Sequence, residues 1–349
     1  MRTEIDLGAI RRNVARVEKA MGKSTILMCK ADAYGHGLLR VAKAVPAEYY
    51  GVATEEEGIP LRNLGKEVLV TAPSFSGLSL DECYRMIPMI GDFEIARRAA
   101  VCGVRRCRIK VNSGMNRLGF TGEKECYEAA LFLASAGVKV EGIDTHYKEG
   151  SDRNVLTQNA AFRRAILAVR KGLVEGGQED RVTTSVTGCG ALHAAEYDYL
   201  RIGLAAYGYH TGYATSGLPL EPAMRVTSEV IKCKYIHRGD TLGYASSGFR
   251  ASGALRAYTV LGGYGDGIAR AEKGRQVIAT GRRLRIAAVS MDTFEMISDR
   301  VDLEVGTRVI ILSKGVDAAY IARARGTIPY EVLVGYNVPR AERVYVGEE

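Results

Sequence analysis

From about residue 8 to residue 215 the chain alternates short apolar runs with amphipathic stretches, and no other feature constrains the fold as strongly. "STILMCK", "YYGVAT", "EVLVTAP", "MIPMIGD", "RCRIKVN", "VKVEGIDTHY", "RVTTSVTG" and "YLRIGLAAYG" have the length and composition of strands. The stretches between them read as helices: "GLLRVAKAV", "EEEGIPLRNLG", "SLDECYRM", "FEIARRAAVCG", "KECYEAALFLASAG", "NVLTQNAAFRRAILAVRKGLVEGG" and "ALHAAEY". Ahead of the first strand, "DLGAIRRNVARVEKAM" places Leu7, Ile10, Val14 and Val17 on one helical face. Such repetition means parallel strands joined by crossover helices. About eight units fit, the number of a closed (β/α)8 barrel. An open doubly wound sheet is the alternative.

The pattern breaks after Gly217-Leu218-Pro219. "PAMRVTSEVIKCKYI", "ALRAYTVLGGYG", "RQVIATGRRLRIAAVSM", "TFEMISD" and "TRVIILS" follow one another as strands separated only by turn signals, which predicts an antiparallel β domain. "VDAAYIARARG" is expected as one late helix closed by Gly326.

Composition narrows the class of protein. The net charge of +8 is spread over scattered residues and short Arg pairs, without the basic helix or interleaved aromatics of a nucleic-acid groove. The seven cysteines are odd in number and form no CxxC pair, which speaks against a disulfide framework or a zinc site. No metal is expected. No apolar run approaches the ~18 residues of a membrane span, and the N-terminus lacks an apolar signal segment. A cytoplasmic location is expected.

In a barrel, functional side chains sit at the carboxyl ends of strands. Those ends carry Lys30 and Tyr34, then Lys110, Asn112 and Arg117, then Asp144 and His146, then Ser185 and Thr187, then Arg201 and Gly203. Lysines, arginines and a histidine thus converge on one mouth, and the natural occupant is an anion. Backbone N–H groups at Gly188, Gly190, Gly203 and Leu204 are suited to a phosphate. A buried lysine among cations loses its proton easily and becomes nucleophilic. A nucleophilic lysine beside a phosphate site is what a pyridoxal-phosphate Schiff base requires.

Several motifs go beyond spacing. "KADAYGHG" resembles the cofactor-lysine motif "KANAYGHG" of the alanine racemase family. "KVNSGMNRLGF", "YLRIGLAAYG", "TLGYASSGF", "LGGYGDGIAR", "VSMDTFEMISD" and "TIPYEVLVGYNVPR" are similar to further segments of that family, in the same order along the chain. The resemblance implies a pyridoxal 5'-phosphate-binding (β/α)8 barrel over residues 8–218. It also implies a β domain, made of residues 1–7 and 219–349, that completes the site of the other subunit in a head-to-tail homodimer.

Carried over by position, Lys30 would be the Schiff-base lysine and the base for one face of the substrate. Tyr244, from the partner subunit, would serve the opposite face. Tyr34, Gly203, Leu204 and Tyr336 would hold the phosphate. Arg201 would face the pyridine nitrogen and Arg117 the phenolic oxygen. His146 would join Arg201 to Tyr244 by hydrogen bonds. Lys110 matches a lysine often carbamylated in the family. Tyr264, Met291 and Asp292 would shape substrate access from the partner side, and Arg117 would also meet the substrate.

The implied activity is racemisation of a small amino acid, foremost L- and D-alanine. Serine, a longer amino acid such as lysine or ornithine, a related decarboxylation, or a cofactor-binding homologue without turnover are the alternatives. The chain departs from the family pattern at Thr187-Gly188-Cys189, at Tyr147-Lys148-Glu149 and at Ala288. His36 is expected to serve the turn after Tyr34, and His193, His210 and His237 to be structural.

Overall fold

The computed structural model describes residues 1–75, 85–148, 152–187, 196–211, 215–244 and 248–347. The expected helix at "SLDECYRM" and most of that at "ALHAAEY" lie outside them.

Eight parallel strands close into a barrel. In chain order they are Ser24–Met28, Tyr49–Val52, Val68–Val70, Ile87–Ile90, Arg106–Asn112, Lys139–His146, Thr183–Thr187 and Tyr199–Ile202. The last pairs with the first, Arg201 opposite Ile26, so the sheet has no open edge there. This selects the barrel over the open sheet. The strand and helix order follows the local periodicity. Leu7–Met21, for example, is capped by the Asp6 carboxylate accepting from the Ala9 N–H at 2.8 Å, and ends at Gly22 in the left-handed region. It buries Leu7, Ile10, Val14 and Val17 against the barrel.

The second unit is an eight-stranded sheet, almost wholly antiparallel, built on the long strand Met224–Ile236. The strand Arg2–Asp6 belongs to this sheet. It runs antiparallel to Met224–Ile236 and parallel to Glu342–Val346. Asn13 ties the units together. Its amide donates to the carbonyls of Ala206 and Glu221 at 3.1 and 2.8 Å. The late helix Ala318–Arg325 ends at Gly326 as expected, but a second helix, Pro329–Gly335, follows it. Pro329 stands in its first turn, where no amide hydrogen is needed. Its seven residues are too few for a periodic signal. Among the described residues no helix is long and apolar enough to cross a membrane.

Candidate active site

The site starts at the carboxyl end of the first barrel strand. After Cys29 and Lys30 the backbone makes a left-handed turn: Ala31, Asp32, Ala33 and Tyr34 have φ of 53°, 53°, 55° and 55°. Each such non-glycine residue costs ~1–2 kcal/mol, so neighbours must enforce the turn. Glu57 accepts the Ala31 N–H at 2.7 Å. Asp32 accepts the Leu38 N–H at 2.6 Å and an Arg343 N–H at 2.8 Å. His36 is fully buried and its Nδ1 lies 3.0 Å from the carbonyl oxygens of both Ala33 and Tyr34, so that nitrogen carries the hydrogen and donates. The role expected of His36 in this turn is therefore visible. Arg343 comes from the last strand of the β sheet, so the second unit helps to shape the lysine loop.

Around Lys30 the barrel mouth is cationic. Burial, then Arg117 and Arg201, pull the Lys30 amine below its ordinary pKa, against the opposing pull of Glu57. Burial, then Arg201 and Arg117, bring Lys110 down to about 8. Burial and the same two arginines, with both lysines, hold His146 at about 3, so its ring is neutral. Arg117 is exposed at the rim and makes no hydrogen bond among the described residues.

The mouth is less purely cationic than the strand ends suggested. Asp144 is fully buried, on the strand between those that carry Arg108 and Ser185. It accepts from Arg108 at 2.7 and 3.1 Å, from Arg201 at 2.9 Å, and from the Ser185 hydroxyl. Burial pushes its carboxyl upward, but Arg108 and Arg201 outweigh this and hold its pKa low. Arg201 also donates to the Thr145 carbonyl at 2.6 Å. Its partners are thus Asp144, Ser185 and Thr145, and the expected hydrogen bond to His146 is not among them.

Tyr34 lies across the mouth, its ring 4.9 Å from that of Tyr207 and 5.8 Å from that of Tyr330. Its hydroxyl sits over Gly203. A Cβ at Gly203 would come within 2.3 Å of it. Gly203 and Leu204 open a turn, and their N–H groups donate to no backbone carbonyl among the described residues. A hydroxyl, a side-chain-free position and two unengaged N–H groups form a cradle for an oxyanion. Tyr336 is buried, and its hydroxyl accepts from Arg325 at 3.5 Å. Gly188, Cys189, Gly190, Glu149 and His193 lie outside the described residues.

The remaining predicted residues gather elsewhere, on the β unit. Tyr244 is 61% exposed on the hairpin of Thr241–Leu242 and Phe249–Arg250. A Cβ at Gly243 would touch that of Ala288 at 2.6 Å, so the hairpin packs beside the strand leading to Met291. Tyr264 joins through its N–H, which donates to the Ser290 carbonyl at 2.9 Å. Asp292 accepts from Arg340 at 2.8 Å. Tyr244, Tyr264, Met291 and Asp292 thus share one exposed patch.

Two family profiles cover nearly the whole chain: alanine racemase, N-terminal domain, over residues 5–211, and alanine racemase, C-terminal domain, over residues 223–345. The chain belongs to the alanine racemase family. The alanine racemase of Nitrosospira multiformis is 33% identical over 97% of this chain and 98% of its own. Among solved structures, alanine racemase from Clostridium difficile 630 superposes with a TM-score of 0.87 at 26% identity, over 99% of this chain and 95% of that one. That from Acinetobacter baumannii gives 0.83 at 26% identity, over 99% of both. The barrel followed by a β domain is the architecture of these racemases.

The family setting gives the cradle its meaning, and the residues fit a phosphorylated aldehyde cofactor. Tyr34, Gly203 and Leu204 suit the phosphate, and Lys30 the aldehyde. Three contributors escaped the sequence reading: Glu57, Arg108 and the Asp32–Arg343 pair. Arg108 did leave a signal, since Arg106, Arg108 and Lys110 alternate along one strand and so share a face.

Proposed function

We propose that the protein is a pyridoxal-phosphate-dependent amino-acid racemase that interconverts L- and D-alanine, working as a homodimer. The observation that carries this reading is Lys30, its amine without a hydrogen-bond partner among the described residues and held below its ordinary pKa at a barrel mouth, beside an oxyanion cradle. The bound cofactor would supply the electron sink that stabilises the charge left when the α-proton departs.

The chain's own residues do the rest. Tyr34, Gly203 and Leu204 bind the phosphate and orient the ring. Arg201 faces the ring nitrogen. As a guanidinium it keeps its proton, so it would donate a hydrogen bond to that nitrogen without protonating it. Arg117 binds the phenolic oxygen and the substrate carboxylate. Lys30 removes or returns the α-proton on one face. The opposite face needs a second base, because one base returns the proton to the side it came from.

Tyr244 is that base. It stands exposed on the β unit, and a second copy docked head to tail brings it over its partner's mouth. Tyr264, Met291 and Asp292 come with it and restrict access to a small side chain. Tyr336, buried with its hydroxyl beside Arg325, would also help to hold the phosphate. Lys110, brought to about 8, is partly neutral near physiological pH, the form that takes up carbon dioxide. Its carbamate would add negative charge beside Arg117.

Chiral chromatography after incubation with L-alanine tests the activity, and parallel incubations with L-serine, L-lysine and L-ornithine test the substrate. Lys30→Ala should lose both the cofactor's visible band and turnover. Tyr244→Phe should keep the band and lose racemisation. Racemisation that survives Tyr244→Phe would refute the two-base assignment.

A further inference from the structure

Asp144 and Arg108 have no part in the chemistry above, yet they form a fully buried ion pair between adjacent barrel strands. Asp144 is 0% and Arg108 1% exposed. The strand register sets Arg108 beside Gly142, and Lys110 beside Asp144. Gly142 is where the Arg108 side chain lies over the neighbouring strand. A Cβ there would lie 2.1 Å from the Arg108 guanidinium carbon. Arg108 spends its Nε and one Nη on Asp144, and its other Nη on the Thr183 hydroxyl at 2.8 Å. The carboxylate thus held takes Arg201 as its third partner.

The bonds to Arg201 are unevenly spread. Nη1 is tied to Asp144 and Ser185, and Nη2 to the Thr145 carbonyl. Both terminal nitrogens are fixed, so the planar guanidinium can neither rotate nor tilt. Nε bonds to nothing among the described residues. Two buried cations share one anion, which leaves one net positive charge at the floor of the mouth.

We propose that Asp144 is a positioning residue: its carboxylate, held in turn by Arg108 and Ser185, orients the Arg201 guanidinium so that one free N–H is presented to a heteroaromatic ring nitrogen. This rests on the reading that the site takes pyridoxal phosphate with Arg201 facing the ring nitrogen. A purely structural Asp144 would stabilise the barrel without affecting how the site tells a ring nitrogen from a ring carbon.

The test is a binding ratio, independent of turnover. Apoprotein is titrated with pyridoxal phosphate and with its deaza analogue, in which C–H replaces the ring nitrogen. The wild type should prefer the nitrogen ring by about tenfold or more, as expected for one hydrogen bond from a charged donor. Asp144→Asn should bring the ratio close to one, and Asp144→Glu should recover most of it. If Asp144→Asn does not fold, Arg108→Met combined with Asp144→Asn removes one buried charge of each sign and carries the same test. A wild-type ratio in either folded Asn-containing variant overturns the proposal, as does a wild type that binds both rings equally. A wild type that binds neither ring overturns the cofactor reading, and this inference with it.

Discussion

Gly203→Ala probes the cradle directly. The added methyl would stand 2.3 Å from the Tyr34 hydroxyl and 2.9 Å from its ring carbon. Ordinary contact begins near ~3.4 Å, so the hydroxyl must retreat by about 1 Å. It has little room, because Tyr34 is 5% exposed with Tyr207 and Tyr330 against its ring. Overpacking of this kind costs roughly 1–3 kcal/mol of stability. Displacing the hydroxyl also removes a hydrogen bond to a charged phosphate, worth about 1.5–3 kcal/mol. At ~1.4 kcal/mol per decade, cofactor affinity should fall by roughly 10- to 100-fold. Fluorescence titration of apoprotein with pyridoxal phosphate measures the affinity, and urea unfolding the stability. Combining Gly203→Ala with Tyr34→Phe should relieve part of the strain without restoring affinity. Wild-type affinity and stability in Gly203→Ala would show that Tyr34 and Gly203 do not form the phosphate site.

Two further perturbations address the scaffold. Burial lowers the pKa of His36 to about 4 and of His146 to about 3, against ~6.5 in the unfolded chain. The unfolded state therefore binds more protons below pH ~6.5, and stability present above that pH is lost as pH falls toward about 4. Two such groups give a slope of roughly 2.7 kcal/mol per pH unit. His36→Gln should halve the slope in urea unfolding between pH 6 and pH 5, while an unchanged slope would mean that His36 already titrates normally. Gly142→Ala would drive a methyl into Arg108 and break its pairing with Asp144. Losing one partner of a buried pair costs about 3–5 kcal/mol, which denaturant unfolding would report; a loss below ~1 kcal/mol would show that Arg108 has another resting place.

Much of this fold was legible because its rules are local. Strand and helix alternation follows from which side chains lie two, three or four residues apart, and the helix end at Gly326 is equally local. Lys30 stood out for the same reason, as a charge directly after an apolar run at a strand's carboxyl end. The helix Pro329–Gly335 was missed because two turns are too short to show a period.

The sequence by itself therefore determined the alternating strands and helices, the β domain after them, and the place of Lys30 at a strand's end, while the pairing of the last parallel strand with the first decided the closed barrel. It could not determine which charges pair inside. Arg108 and Arg201 meet Asp144 across 36 and 57 residues of chain, and that meeting depends on the register of parallel strands and on the bare Gly142 that lets Arg108 lie over the neighbouring strand. Nor could it determine the left-handed turn after Lys30. Four non-glycine residues adopt that conformation only because Glu57, His36 and Arg343, drawn from the neighbouring helix, the turn itself and the last strand of the chain, together hold it there.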